Sequence, residues 1–276
     1  MSDPVMLSDL VDDIPKIVLM ALVGCVILLG LWLAIDRRSR TIALARVAAS
    51  RRGRRLILTA IALSVFAVIA EDVVLHEDHE LVRKLDKRVS AVARQVTPSV
   101  RREANTISRM TGEGLAVAVT LAALGLVAHG QPHQAAVLLL GTASAWAVSG
   151  LLKVACGVPR PRWDPTILDP SYSFPSGHAL VTLVALALIA RALGCGRRQV
   201  LRSLLLAAAW GMALLAGAAR IVVNAHWASD VVAGLAVGAA WLTGVTVVAE
   251  AWGAARDTAA FPHRAGITHR SSPEIS

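Results

Sequence analysis

Charge is scarce in this sequence. Only 17% of its 276 residues are Asp, Glu, Lys or Arg, against 55% hydrophobic, a balance that excludes an ordinary soluble globular domain. Cysteine is scarce too: Cys25 falls within an apolar run, Cys156 in a loop and Cys195 in a short arginine-rich loop. That spacing excludes a disulfide framework and a cysteine-based metal centre. Positive charge is missing from the start of the chain, where Asp3, Asp9, Asp12 and Asp13 face Lys16 alone, so a cleaved secretory signal is not expected. Carboxylates do not cluster as a magnesium site would require, and no metal or cofactor is expected. The net charge of +9 is unevenly spread; arginines between apolar runs set topology in a bilayer, and no nucleic-acid partner is expected.

What the chain has in quantity is long apolar runs, seven of them, at about 17–35, 56–75, 114–128, 134–152, 178–193, 201–223 and 231–252. At ~1.5 Å per residue most are long enough to cross the ~30 Å hydrocarbon core as helices. The loop at 36–55 holds eight arginines and a single acid, which marks it as cytoplasmic. Alternation then puts the turn at 129–132, the basic loop at 194–202 and the C-terminus inside. The 153–177 loop and the 224–229 turn fall outside. The segment at 76–113 also falls outside despite eight Lys and Arg, which six acids offset. Within it, Leu81, Leu85, Val89, Val92 and Val96 recur at three- and four-residue steps among Arg83, Lys84, Lys87, Arg88 and Arg94, which predicts an amphipathic helix ended by Thr97-Pro98. That helix is taken as a solvated cap packed on the bundle; a helix lying on anionic headgroups is the alternative. The organisation is thus a helix and basic loop at 1–55, a six-helix core at 56–252 and a polar tail at 253–276. Trp163 and Trp227 are placed as interfacial anchors, the other tryptophans as packing.

Three polar clusters interrupt the apolar background, and the topology puts all of them on one face, the extracytoplasmic one. Lys153, Arg160 and Arg220 supply positive charge of the kind that stabilises a phosphoryl group, whose negative charge spreads over its oxygens in the transition state. Pro175-Ser176-Gly177-His178 opens a span, so the amides of Ser176, Gly177 and His178 are expected near a helix N-terminus that favours an anion. His226 and Asp230 are four apart, which on a last helix beginning near Asn224 puts the carboxylate on the face of the imidazole, able to orient it as a nucleophile. His178 can donate a proton to a leaving oxygen. A single such residue at a helix end is an ordinary anchor or cap; five converging on one face point to chemistry.

The clusters resemble the tripartite signature of the type 2 phosphatidic acid phosphatase superfamily: Lys, six residues, Arg-Pro; Pro-Ser-Gly-His; Ser-Arg, five residues, His, three residues, Asp. Here these are Lys153 to Arg160-Pro161, residues 175–178, and Arg220 to His226 to Asp230, with Ala219 in place of the usual serine. The resemblance implies an all-α polytopic bundle with a six-helix phosphatase core, preceded here by one extra transmembrane helix. It implies that His226 attacks phosphorus, Asp230 orients it and His178 protonates the leaving group and then activates water. Lys153, Arg160, Ser176, Gly177 and Arg220 would hold the phosphoryl oxygens, with no metal. A lipid phosphate or pyrophosphate is the expected substrate, undecaprenyl pyrophosphate first, at the outer face of a bacterial inner membrane. Phosphotransfer to an acceptor lipid and non-catalytic headgroup binding or transport are the competing readings. Oligomeric state is not legible.

Overall fold

The computed structural model describes residues 50–74, 80–161 and 172–260, and every regular element among them is helical. In chain order these are α1 (Arg51–Val74), α2 (Glu80–Arg94), α3 (Pro98–Arg109), a π-helical segment (Met110–Gly114), α4 (Leu115–Ala128), α5 (Pro132–Cys156), α6 (Gly177–Leu193), α7 (Gln199–Val222) and α8 (Ala228–Ala260). The expected span at 17–35 and the tail beyond 260 lie outside the described residues.

Among the described residues, five stretches are long and apolar enough to cross a bilayer: Gly53–Val74, Pro98–Ala128, Pro132–Cys156, Gln199–Val222 and Ala228–Arg256. Their outer faces carry exposed Leu58, Val68, Trp146, Leu151 and Val248, as helices bathed in lipid do. The sixth helix of the core, α6, is shorter and sits at the centre, packed against α5, α7 and α8. Nine of its 17 residues, from Ala179 to Ala190, are buried. That accounts for a sequence apolar on every face. Gly234 and Gly238 let α8 approach it closely: a Cβ on Gly234 would stand 2.5 Å from the Ser176 carbonyl oxygen, and one on Gly238 3.2 Å from that of Leu180. Small residues four apart are a common solution where lipid offers no hydrophobic drive between helices.

The ends of the bundle differ in kind. At the end where α1, α5 and α7 begin, Glu250 of α8 accepts from Arg55 (2.6 and 2.8 Å) and Arg191 (3.1 Å). These side chains are 32–44% exposed. Nearby, an apolar groove of about 500 Å³ runs between α5 and α8 past Val137, Gly141, Trp241 and Trp252. The three polar clusters lie at the other end.

The segment before α4 departs from expectation in two ways. Thr97-Pro98 does end α2, but Pro98 also starts α3, which continues through the π-helical segment into α4 as one run. α2 does pack on the site end of the bundle, against α1, α7 and α8. It does so through Asp86, Ser90 and Ala93, however, while Leu85, Val89 and Val92 of the apolar stripe are exposed. A buried carboxylate with two donors, described below, outweighs the stripe in setting the rotation of this helix.

Candidate active site

Helical periodicity delivers the cations. The buried face of α5 runs Ala135, Leu138, Gly141, Ala145, Ser149, and the next step is Lys153, so its side chain leaves the last turn on the inner face. Gly157, at φ 63°, stops α5 by donating its amide to the Lys153 carbonyl (3.0 Å), a left-handed cap that glycine adopts without penalty. In α7 the buried series Ala209, Ala213, Ala216 leads in the same way to Arg220.

The third cluster is built differently from expectation. α7 ends at Val222 and α8 begins at Ala228, not near Asn224, so His226 lies in the turn between them. Asn224 makes that turn with φ 60°, a conformation Asn tolerates better than most side chains. The pairing survives: His226 Nδ1 is 3.0 Å from Asp230 Oδ2, which also accepts the Trp227 amide (2.9 Å). A carboxylate acceptor fixes the proton on Nδ1 and leaves the Nε2 lone pair for chemistry. Both residues are deeply buried, His226 at 2% and Asp230 at 0% exposure.

Backbone contacts tie the clusters together. Ser176 donates its amide to the Asp230 carbonyl (2.9 Å). That corrects the expectation of three amides facing an anion: the Ser176 amide is already taken, while those of Gly177 and His178 lie in the first turn of α6, where no intrahelical acceptor exists. The Ser176 hydroxyl is buried and has no hydrogen-bond partner among the described residues. Gly177 is small for a packing reason, since a Cβ there would meet Ser149 Oγ at 2.8 Å. Arg160 Nη1 donates to the Ala225 carbonyl (2.6 Å), Asn224 Nδ2 to the Pro161 carbonyl (2.7 Å) and Trp227 Nε1 to the Pro159 carbonyl (3.0 Å). Trp227 is therefore a brace between the 157–161 loop and the 223–227 turn; Trp163 lies outside the described residues.

Charge converges on His226. Burial first, then Lys153, Arg160 and Arg220, hold its imidazole well below the ordinary histidine value, because each disfavours a further positive charge. His178 has the cations Arg220 and Lys153 and the imidazole of His226 as its neighbours. The structure thus brings Lys153, Arg160, His178, Arg220, His226 and Asp230 to one place, with Ser176 and Gly177 at its edge. Among the described residues no group of three or more His, Cys, Asp or Glu side chains gathers to share a metal ion.

Three supporting residues were not singled out from sequence. Asp86 of α2, buried, accepts from the Ser229 amide (2.9 Å) and hydroxyl (2.6 Å) and so caps α8 from another helix. Burial, partly offset by those bonds, pushes its carboxyl up. Ser108 Oγ accepts from Arg220 Nη1 (2.8 Å). Asn224 is the third, and its left-handed turn after an apolar run is the one signal the sequence offers for any of them.

Comparison with known proteins agrees with this architecture. Residues 134–253 match the PAP2 superfamily model. The fold matches the crystal structure of the first transmembrane PAP2 type phosphatidylglycerolphosphate phosphatase from Bacillus subtilis, with a TM-score of 0.60 and 21% identity over 71% of this chain and 96% of that one. A search of curated proteins gave no match. The apolar helices and this transmembrane fold make the chain an integral membrane protein. The stretch that matches the PAP2 superfamily model, residues 134–253, holds all three polar clusters.

Proposed function

We propose that this protein is a lipid phosphate or pyrophosphate phosphatase working through a phosphohistidine at the extracytoplasmic face of the membrane. The observation that carries the reading is the buried His226–Asp230 pair, 3.0 Å apart, among Lys153, Arg160 and Arg220. A headgroup binder needs the cations but has no use for an imidazole held neutral with one nitrogen fixed. In the first step His226 Nε2 attacks phosphorus and the bond to the leaving oxygen breaks, with His178 donating a proton to that oxygen. Lys153, Arg160, Arg220, the Ser176 hydroxyl and the first-turn amides of α6 take the equatorial oxygens. In the second step His178 accepts a proton from water, which attacks the phosphohistidine and releases orthophosphate. None of these roles requires a metal.

The site lies at the bundle end, level with the helix termini, where a headgroup can enter while its hydrocarbon chain stays among the lipids. Undecaprenyl pyrophosphate is the first substrate to test; phosphatidylglycerol phosphate, named for the Bacillus protein, is the second, and phosphatidate the third. The test is orthophosphate release by detergent-purified protein in EDTA, with His226→Ala as control. Release by wild type alone supports the reading and ranks the substrates. Transfer of phosphate to an acceptor lipid would identify a phosphotransferase, and no turnover with retained lipid binding would identify a binder.

A further inference from the structure

The segment from α3 into the π-helical turn belongs to none of the three clusters, and it lies outside the family-matched residues. It nevertheless forms a wall of the site. Its buried residues, Ala104, Ser108, Thr111 and Leu115, follow one face of the run. Ser108 meets Arg220 through the 2.8 Å bond to Nη1. Four residues on, Gly112 lies so close to His178 that a Cβ there would stand 3.3 Å from Nε2. The helix widens to π geometry between Met110 and Gly114, at the place where it passes these two side chains. Thr111 Oγ1 compensates the disturbed ladder by donating to the carbonyls of Ile107 (2.8 Å) and Ser108 (3.3 Å). Single π turns inside α-helices occur frequently at functional sites.

We propose that the 108–112 turn is a fourth part of the phosphate site, in which Ser108 is a positioning residue for Arg220 and Gly112 keeps clear the space beside His178 Nε2. The inference rests on the roles given above to Arg220 and His178. Position 219, before the arginine, holds a buried alanine, so the hydroxyl that reaches Arg220 comes from another helix. With one guanidinium nitrogen held by Ser108, the fork is aimed and loses less freedom when it bonds phosphoryl oxygens. At Gly112, a methyl group would crowd the nitrogen that must reach a leaving oxygen.

The test uses full-length protein in detergent and the variants Ser108→Ala, Ser108→Thr, Arg220→Ala, Ser108→Ala/Arg220→Ala and Gly112→Ala, each checked for monodispersity. The first readout is affinity for inorganic phosphate by calorimetry, which needs no turnover. Ser108→Ala should weaken phosphate binding by about tenfold, Ser108→Thr should stay within about threefold of wild type, and Ser108→Ala should add nothing in the Arg220→Ala background. Gly112→Ala should bind phosphate like wild type yet turn over about tenfold more slowly, a change in kcat without KM. Should Ser108→Ala not purify as a folded protein, Ser108→Cys replaces it in the cycle. Unchanged phosphate affinity in the serine variants, or a full additional loss in the double variant, overturns the role of Ser108. Undiminished kcat in Gly112→Ala overturns that of Gly112. Absence of turnover in wild type would defeat the phosphatase reading, while the phosphate-affinity cycle would still decide the role of Ser108.

Discussion

The two ends of the bundle carry similar residue types and use them in opposite ways. At one end Arg55, Arg191 and Glu250 pair across three helices with partly exposed side chains; such pairs contribute little, because solvent screens them and ordering long side chains has an entropic cost. At the other end His226 and Asp230 are sealed from solvent, and each bond there fixes a group that has a partner in a second element. Removing one member of a buried set leaves another polar group stranded, which is costly. The comparison teaches that charge at a helix end becomes informative when it is buried and cross-linked.

Substitutions at the site end should therefore have large effects and those at the opposite end small ones. His226→Ala should lower kcat by about ten-thousandfold in a phosphate-release assay, with an unchanged gel-filtration profile. Asp230→Asn should reduce kcat by several hundredfold, roughly, by releasing the imidazole from its tautomer. Arg220→Ala should reduce kcat/KM by about a hundredfold, with both parameters affected. Glu250→Gln, which breaks the exposed pairs at the opposite end, should leave kcat/KM within about twofold and shift the melting temperature by no more than a few degrees. A large activity loss in Glu250→Gln would dissolve the contrast.

Acid should also act on the site end. His226 is held below its ordinary value in the folded protein, so between that depressed value and about 6.5 the unfolded chain binds a proton that the folded chain does not. Stability from this group is thus present above pH 6.5 and is lost as pH falls below it. Asp86, pushed up by burial, acts in the opposite sense, since the folded chain keeps its proton to higher pH and loses that contribution as pH rises. The measurement is therefore the difference in melting temperature between wild type and His226→Gln, which should shift against wild type as pH drops from 7 to 5.

Lys153 and Arg220 were legible because spacing on a helix is a geometric statement, and both project where periodicity puts them; the His226–Asp230 contact forms although His226 lies in the turn before α8, outside that periodicity. The all-helical bundle was legible from run lengths. The start of the last helix was misplaced by four residues because the chain reverses through Asn224 in a left-handed conformation. Rotation of the amphipathic helix was hidden because one buried carboxylate, Asp86, decides it through a partner 143 residues away. Ser108 was hidden for the same reason, with Arg220 112 residues distant. Contacts of that range have no signature in local pattern.

The central claim is that phosphate passes through His226. The most direct measurement is to mix the purified protein with a lipid pyrophosphate, quench within a single turnover under alkaline denaturing conditions, and locate the phosphate by mass spectrometry. An acid-labile, alkali-stable phosphate on the peptide containing His226, absent from His226→Ala and accumulating in a variant that lacks His178, is the predicted result. Full turnover with no phosphorylated peptide, or phosphate on a different residue, would contradict it.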